Sequence, residues 1–197
     1  FLLALPGVRG RPPAEVAQLV SAAAALVAAG GPDLQRYCGL RMLKNFALDC
    51  VHPSRAGKTG NARLAPLRAH AVALLSVLAQ CGSPEPAQAR KAFAAGADHL
   101  FPRQVLPFEP PRDFSSTLDQ ALAALDRLLP AAKQLLLEAL SRTASHDGRI
   151  TVAEAALLQS VCLALHCPLP ALAGLGSWAD LQPQDASPPA LLTTEPA

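Results

Sequence analysis

The sequence predicts an all-α protein, a bundle of about seven helices in two halves, and three features carry that expectation. Of the 197 residues 51% are hydrophobic and only 4% aromatic, so alanine and leucine dominate the apolar set. Neither loses much side-chain freedom in a helical turn. Apolar residues also recur three and four apart in successive runs, the spacing of one helix face. The 19 prolines are too many for helix interiors, so they mark first turns, where the missing N–H costs nothing, and connectors.

Taken in order, PPAEVAQLVSAAAALVAA (12–29) opens on prolines and runs as an alanine-rich amphipathic helix until Gly30-Gly31 stops it. LQRYCGLRMLKNFALDCV (34–51) follows Asp33 and places Leu34, Cys38, Met42 or Leu43, Phe46 and Cys50 at helical spacing before the polar loop HPSRAGKTGN. In LAPLRAHAVALLSVLAQCG, Leu64, Leu67, Ala71, Leu74, Leu75 and Leu78 form one apolar face between Pro66 and Gly82. A shorter helix, PAQARKAFAAGADHLF, is expected next.

PRQVLPFEPPRDF (102–114) reads as an extended proline-rich connector. Beyond it Leu118, Leu122, Leu125 and Leu129 lie on one stripe, with Thr117 and Gln120 resembling a capping box. Pro130 and Thr151 start the two remaining helices, and three helices joined by such short turns are expected to bury their stripes on one another. The organisation expected is therefore an N-terminal helical half (1–101), the connector (102–114), a C-terminal helical hairpin set (115–172) and a tail (173–197) of flexible composition.

Composition narrows the function classes. No apolar run reaches the roughly 18 residues of a membrane span, and FLLALP lacks the basic leader and length of a secretion signal. The sole methionine is Met42 and the first residue Phe1, so the sequence is expected to be a soluble piece of a longer protein. Its net charge of +2 is unevenly spread: residues 1–110 hold 12 Lys+Arg against 6 Asp+Glu, and residues 111–197 hold 5 against 9, or +6 against −4. Five cysteines (Cys38, Cys50, Cys81, Cys162, Cys167) fit no zinc or disulfide framework and read as small buried hydrophobes in a reducing compartment.

Four stretches invite a chemical reading. With Gly148 at the sixth position of a calcium loop, Asp147 falls at the fifth, Ile150 at the eighth and Glu154 at the twelfth, where a bidentate glutamate belongs. The first and third positions are Thr143 and Ser145, so this candidate metal pair, Asp147 and Glu154, offers two carboxylates where a hard cation wants more. The structural alternative is a turn at Asp147-Gly148, with Gly148 at positive φ, followed by a T-x-x-E capping box of Thr151 and Glu154.

GKT at 57–59 fails as a phosphate loop because His52 occupies the first glycine position. Cys162 and His166, four apart, with Cys50 and His52, follow no metal-ligand spacing, and Asp98-His99 lacks a neighbouring nucleophile. Arg36, Arg41, Lys44, Arg55, Lys58, Arg63 and Arg68 stand against the single acid Asp49. A local +6 of this kind attracts an anionic membrane surface. Tyr37 and Phe46 are too few aromatics for nucleic-acid stacking, so nucleic acid is not favoured as a partner.

LQRYCGLRMLKNFALDCVHPSR, RLAPLRAHAVALLSVLAQCG, AFAAGADHL and LPAAKQLLLEALSRTASHDGRITVAEAALLQSVCLALHCPLPAL together resemble the C-terminal region of bacterial membrane-anchored zinc metallopeptidases of the HtpX type, over about residues 34–172. In that family a membrane and peptidase portion precedes a helical, TerB-like tail whose last repeat reads A-D-G-R-V-T-x-x-E before a helix ending C-P. Asp147, Gly148, Arg149, Ile150, Thr151, Glu154, Cys167 and Pro168 match it. The second D-G motif common in such tails is replaced here by AAGGPDLQRY, and no HExxH is present, so no catalytic residue carries over.

The resemblance implies a non-catalytic accessory region on the cytoplasmic side of a bacterial inner-membrane protein. Its partners would be the parent peptidase domain and protein substrates, and its only cofactor the zinc of that domain. A degenerate ion-sensing module built on Asp147 and Glu154, and a membrane-surface adaptor built on the 36–68 basic stretch, are the alternatives.

Overall fold

The computed structural model describes residues 7, 8, 10–31, 33–52 and 59–169. Among them the chain forms seven α-helices and no strand: α1 (Pro13–Ala29), α2 (Leu34–Val51), α3 (Arg68–Gly82), α4 (Pro86–Leu100), α5 (Phe114–Leu125), α6 (Pro130–Ala144) and α7 (Val152–Ala164). A 3-10 turn, Ala65–Leu67, leads into α3. The all-α bundle expected from composition and periodicity is what forms, and α4 is as long as α3, not shorter. The expected tail (173–197) lies outside the described residues.

Helix starts follow the local chemistry. Proline occupies the first turn of α1, α4 and α6, where no intrahelical N–H bond is lost. Asp33 caps α2 by accepting from the Arg36 N–H at 2.7 Å. The cap of α5 differs from expectation: Asp113, not Thr117, begins the helix, accepting from the backbone N–H of Ser115 (3.0 Å) and Ser116 (3.3 Å) and from the Ser115 hydroxyl. Those bonds hold the Asp113 carboxyl down at about 2. A carboxylate four residues upstream outcompetes a hydroxyl for the first free N–H groups, and Thr117 instead donates back to the Asp113 carbonyl at 2.8 Å.

α5 stops at Leu125, and the stripe continues through Leu128, which is fully buried, instead of Leu129, which is 39% exposed. The tight turn after Asp126 bonds the Leu128 N–H to the Leu125 carbonyl (3.0 Å) and rotates the next side chain out of the helical register. Segment 59–64 lies along this turn: the Ala62 N–H donates to the Arg127 carbonyl (2.8 Å) and the Leu129 N–H to the Ala62 carbonyl (2.9 Å).

The expectation that α5, α6 and α7 bury their stripes chiefly on one another is met only by a minor α6–α7 contact. α5 packs on α3, α6 on α4 and α7 on α2, each helix after the connector facing one before it. One continuous core results, running from Cys38 through α3 and α4 to Leu165. Periodicity shows which face of a helix is apolar but not which partner it meets, and the connector is long enough to return the chain across α3. Its own Leu106 and Phe108 pack onto that core, with the Phe108 and Phe93 rings 5.5 Å apart.

α2 contributes to two separate cores, and both Met42 and Leu43 on it are buried. Cys38 joins the main core. Leu43 and Ala47 form a small second cluster with Val8 and Val16, and that cluster is what holds α1.

α4 and α6 approach closely at Gly96. A methyl group there would overlap the Thr143 hydroxyl and come within 2.7 Å of the Ala139 carbonyl and 2.9 Å of Leu75 Cδ2. Gly39, within α2, has open space at the same position. Gly96→Ala is expected to lower stability by about 1–3 kcal/mol through overpacking, whereas Gly39→Ala is expected to raise it by roughly 0.5–1 kcal/mol. Urea denaturation midpoints of the two variants check both signs.

Candidate functional site

The loop between α6 and α7 forms the turn and cap that its residues suggest. Gly148 has φ +78, a conformation that favours glycine, and its N–H bonds the Ser145 carbonyl at 3.0 Å. Asp147 spends one carboxylate oxygen on the Arg149 N–H at 3.0 Å. The Thr151 hydroxyl accepts from the Glu154 N–H at 3.2 Å, while Glu154 Oε2 accepts from the Thr151 N–H at 2.8 Å and the Thr151 hydroxyl at 2.9 Å. This is a complete capping box.

Glu154 is buried at 2% exposure and Asp147 is exposed, so the two carboxylates of the candidate ion loop serve different local purposes. Gly82, at the end of α3, leaves the room Glu154 Oε1 occupies: a Cβ on residue 82 would collide with it. Among the described residues no group of three or more His, Cys, Asp or Glu is placed to hold a metal ion.

Four of the five thiols are suppressed by burial. All five cysteines are free. Burial pushes Cys38 and Cys162 up to about 12 and raises Cys81 and Cys167 as well. Near neutral pH these sulfurs stay protonated and are poor nucleophiles and ligands.

The basic stretch is divided by the fold. Arg36 donates to the Gly30 carbonyl at the end of α1 (3.0 Å). Arg41 pairs with Asp119 of α5, which also accepts from the Tyr37 hydroxyl at 2.7 Å, and Tyr37 meets Phe114 edge-on. Arg68 lies over the Phe101 ring at 5.6 Å. Lys44 and Arg63 are exposed on the surface, and Arg55 and Lys58 lie outside the described residues, as does most of GKT. Three of the seven cations thus have structural partners on the bundle's own surface.

Sequence spacing did not reveal the densest polar cluster, because four elements contribute to it. The Lys133 ammonium, on a residue only 7% exposed, donates to Asp126 Oδ1 (2.9 Å) and to the Leu165 carbonyl (2.8 Å) at the end of α7. His166 sits next, its Nδ1 3.6 Å from Asp126 and its Nε2 3.3 Å from Asp49 of α2. Its backbone is left-handed (φ 54), and the following Cys167 N–H closes α7 onto the Cys162 carbonyl at 2.9 Å. The imidazole thus turns to two carboxylates and not to Cys162. His99 is likewise engaged, with Glu138 of α6 at 3.1 Å. A lysine aligned after Pro130 is the only hint in the sequence, since a charged residue on an apolar stripe signals a buried partner.

The last feature is apolar. α1 and α2 leave a groove of about 410 Å³ between them, lined by Val16, Ala17, Val20, Ala47, Leu48 and Val51, with Lys44 and Ser21 as polar side chains on its wall. On the other flank of α1, Leu19 and Leu26 are 42% and 75% exposed.

Compared with family models, curated proteins and solved structures, the chain matches none.

Two outcomes follow from the loop and the cluster. Burial, reinforced by the charge of Asp147, raises the Glu154 carboxyl above the usual carboxylate range, and its bonds to Thr151 offset this only in part. The folded state then holds its proton to higher pH than the unfolded chain, so stability falls as pH rises through that window. Glu154→Gln, which retains an oxygen acceptor for the cap, is expected to flatten this slope in denaturation midpoints measured between about pH 4 and about pH 7. Lys133→Met strips the Leu165 carbonyl and Asp126 of their shared donor and is expected to cost about 1–3 kcal/mol in the same assay.

Proposed function

We propose that this chain is a non-catalytic helical interaction region, of the kind that follows the peptidase portion of HtpX-type membrane zinc metallopeptidases, and that it holds the parent peptidase domain or its protein substrate against a helix face. The observation that carries this reading is the outer flank of α1. Leu19 and Leu26, two turns apart with Ala22 between them, form an exposed apolar ridge on a helix that has no charged residue from Val16 to Ala29. A ridge at this spacing is the surface one helix offers to another protein.

The chemistry of the described side chains points the same way. Burial raises the Cys38, Cys81, Cys162 and Cys167 thiols, and the Lys133, Asp126, His166 and Asp49 groups are occupied with one another and with the end of α7. The 147–154 segment contributes as a cap and turn, a structural use consistent with a tail whose zinc belongs to a separate peptidase portion.

The test is made on the whole protein encoded by the parent reading frame. Leu19→Asp combined with Leu26→Asp is expected to slow its cleavage of an unfolded protein about tenfold or more, the loss of one or two apolar contacts, with zinc content unchanged. Equal rates would remove the reading. So would zinc-dependent cleavage of the same substrate by the 197-residue chain alone.

A further inference from the structure

The groove between α1 and α2 is a separate matter from the Leu19 and Leu26 ridge, since it opens on the other flank of α1. Its walls are apolar almost throughout, and Leu48 and Val51 are left 45% and 41% exposed there. Lys44 stands on the wall about 10 Å, two helical turns, from Val51. It has no carboxylate partner among the described residues. What fits is a segment that is apolar first and acidic after.

The chain itself carries such a segment, and it starts near the C-terminal end of α2, within reach of the groove. The contact between His166 and Asp49 fixes the end of α7 against the last turn of α2, on the side of that turn away from Val51. The described chain then leaves the bundle three residues later at Leu169, 44% exposed. Residues 170–179 contain no charge and include Leu172, Leu175 and Trp178, and residues 180–197 bring Asp180, Asp185 and Glu195 with no lysine or arginine. At about 3.3 Å per residue nine residues reach up to roughly 30 Å, more than the roughly 16 Å from Pro13 to Ala24 along α1.

We propose that this groove is the docking site of the chain's own residues 170–185, with Leu172, Leu175 and Trp178 covering Leu48 and Val51 and an acid, Asp180 first, meeting Lys44. The order of chemistry along the segment matches its order along the groove: passing round the end of α2, it meets Val51 with its apolar part and Lys44 with its anionic part. A second copy of the chain or an outside partner in the groove are the competing occupants.

Trp178 is the only tryptophan, so its fluorescence reports on the segment alone in the intact protein. Docking predicts a blue-shifted emission that resists acrylamide quenching and does not change on dilution. Leu48→Lys and Val51→Asp, both at exposed positions, should shift the docked population by roughly tenfold, turning the emission red and opening Trp178 to quencher while the far-ultraviolet dichroism stays helical.

Should either variant lose helix, the charge pair still decides. Lys44→Glu should increase quenching, and Asp180→Lys added to it should restore protection. A tryptophan freely quenched in the unaltered protein overturns the proposal, as does one whose protection ignores both the groove and the charge exchange. Protection that disappears on dilution overturns it too, assigning the groove to a second copy.

Discussion

α3 has almost no face toward water, and that constraint organises everything around it. Ala71, Leu74, Leu75, Val77, Leu78 and Ala79 are all buried, together with the Ser76 hydroxyl. A helix that is apolar nearly all round can be stable only if neighbours cover it on every side. α4, α5, α6 and α7 do so. Each fully buried leucine contributes about 1.5–3 kcal/mol, so separating the pieces of chain that enclose α3 would expose more than a small domain's net stability. The crossing of α5, α6 and α7 over the earlier helices follows from this demand: three helices folded on one another would have left α3 half bare.

Much of this was legible in the sequence at the level of single elements. The 3.6-residue period identified all seven helices, prolines marked the first turns of α1, α4 and α6, and the T-x-x-E pattern of Thr151 and Glu154 announced a capping box that forms in full. Local signals fail where two of them compete, as at α5, where Asp113 takes the cap from Thr117. They fail again where a turn resets the register, as between Leu128 and Leu129. Pairing of helices is beyond them altogether, because an apolar stripe carries no address.

The polar side chains were legible in proportion to how local their partners are. Asp147 and Glu154 bond within three residues of themselves, and their structural use could be foreseen. The cations of the 36–68 stretch look like a patch when counted along the chain. Folding disperses them, because Arg41 finds its carboxylate 78 residues away and Arg68 its aromatic ring on another element. Lys133 and His166 gain their partners from three other elements, and no spacing rule reaches that far.

α1 is attached differently from the rest of the molecule. It rests on the small cluster of Val8, Val16, Leu43 and Ala47, which is separate from the main core. Such a helix can detach while the helices around α3 stay assembled, so its amide protons should exchange with solvent through a low-energy opening of their own, and those of α3 only when the whole bundle comes apart. Folding in this chain is therefore two-tiered: a cooperative unit centred on α3, and an outer helix whose attachment can be adjusted without touching that unit.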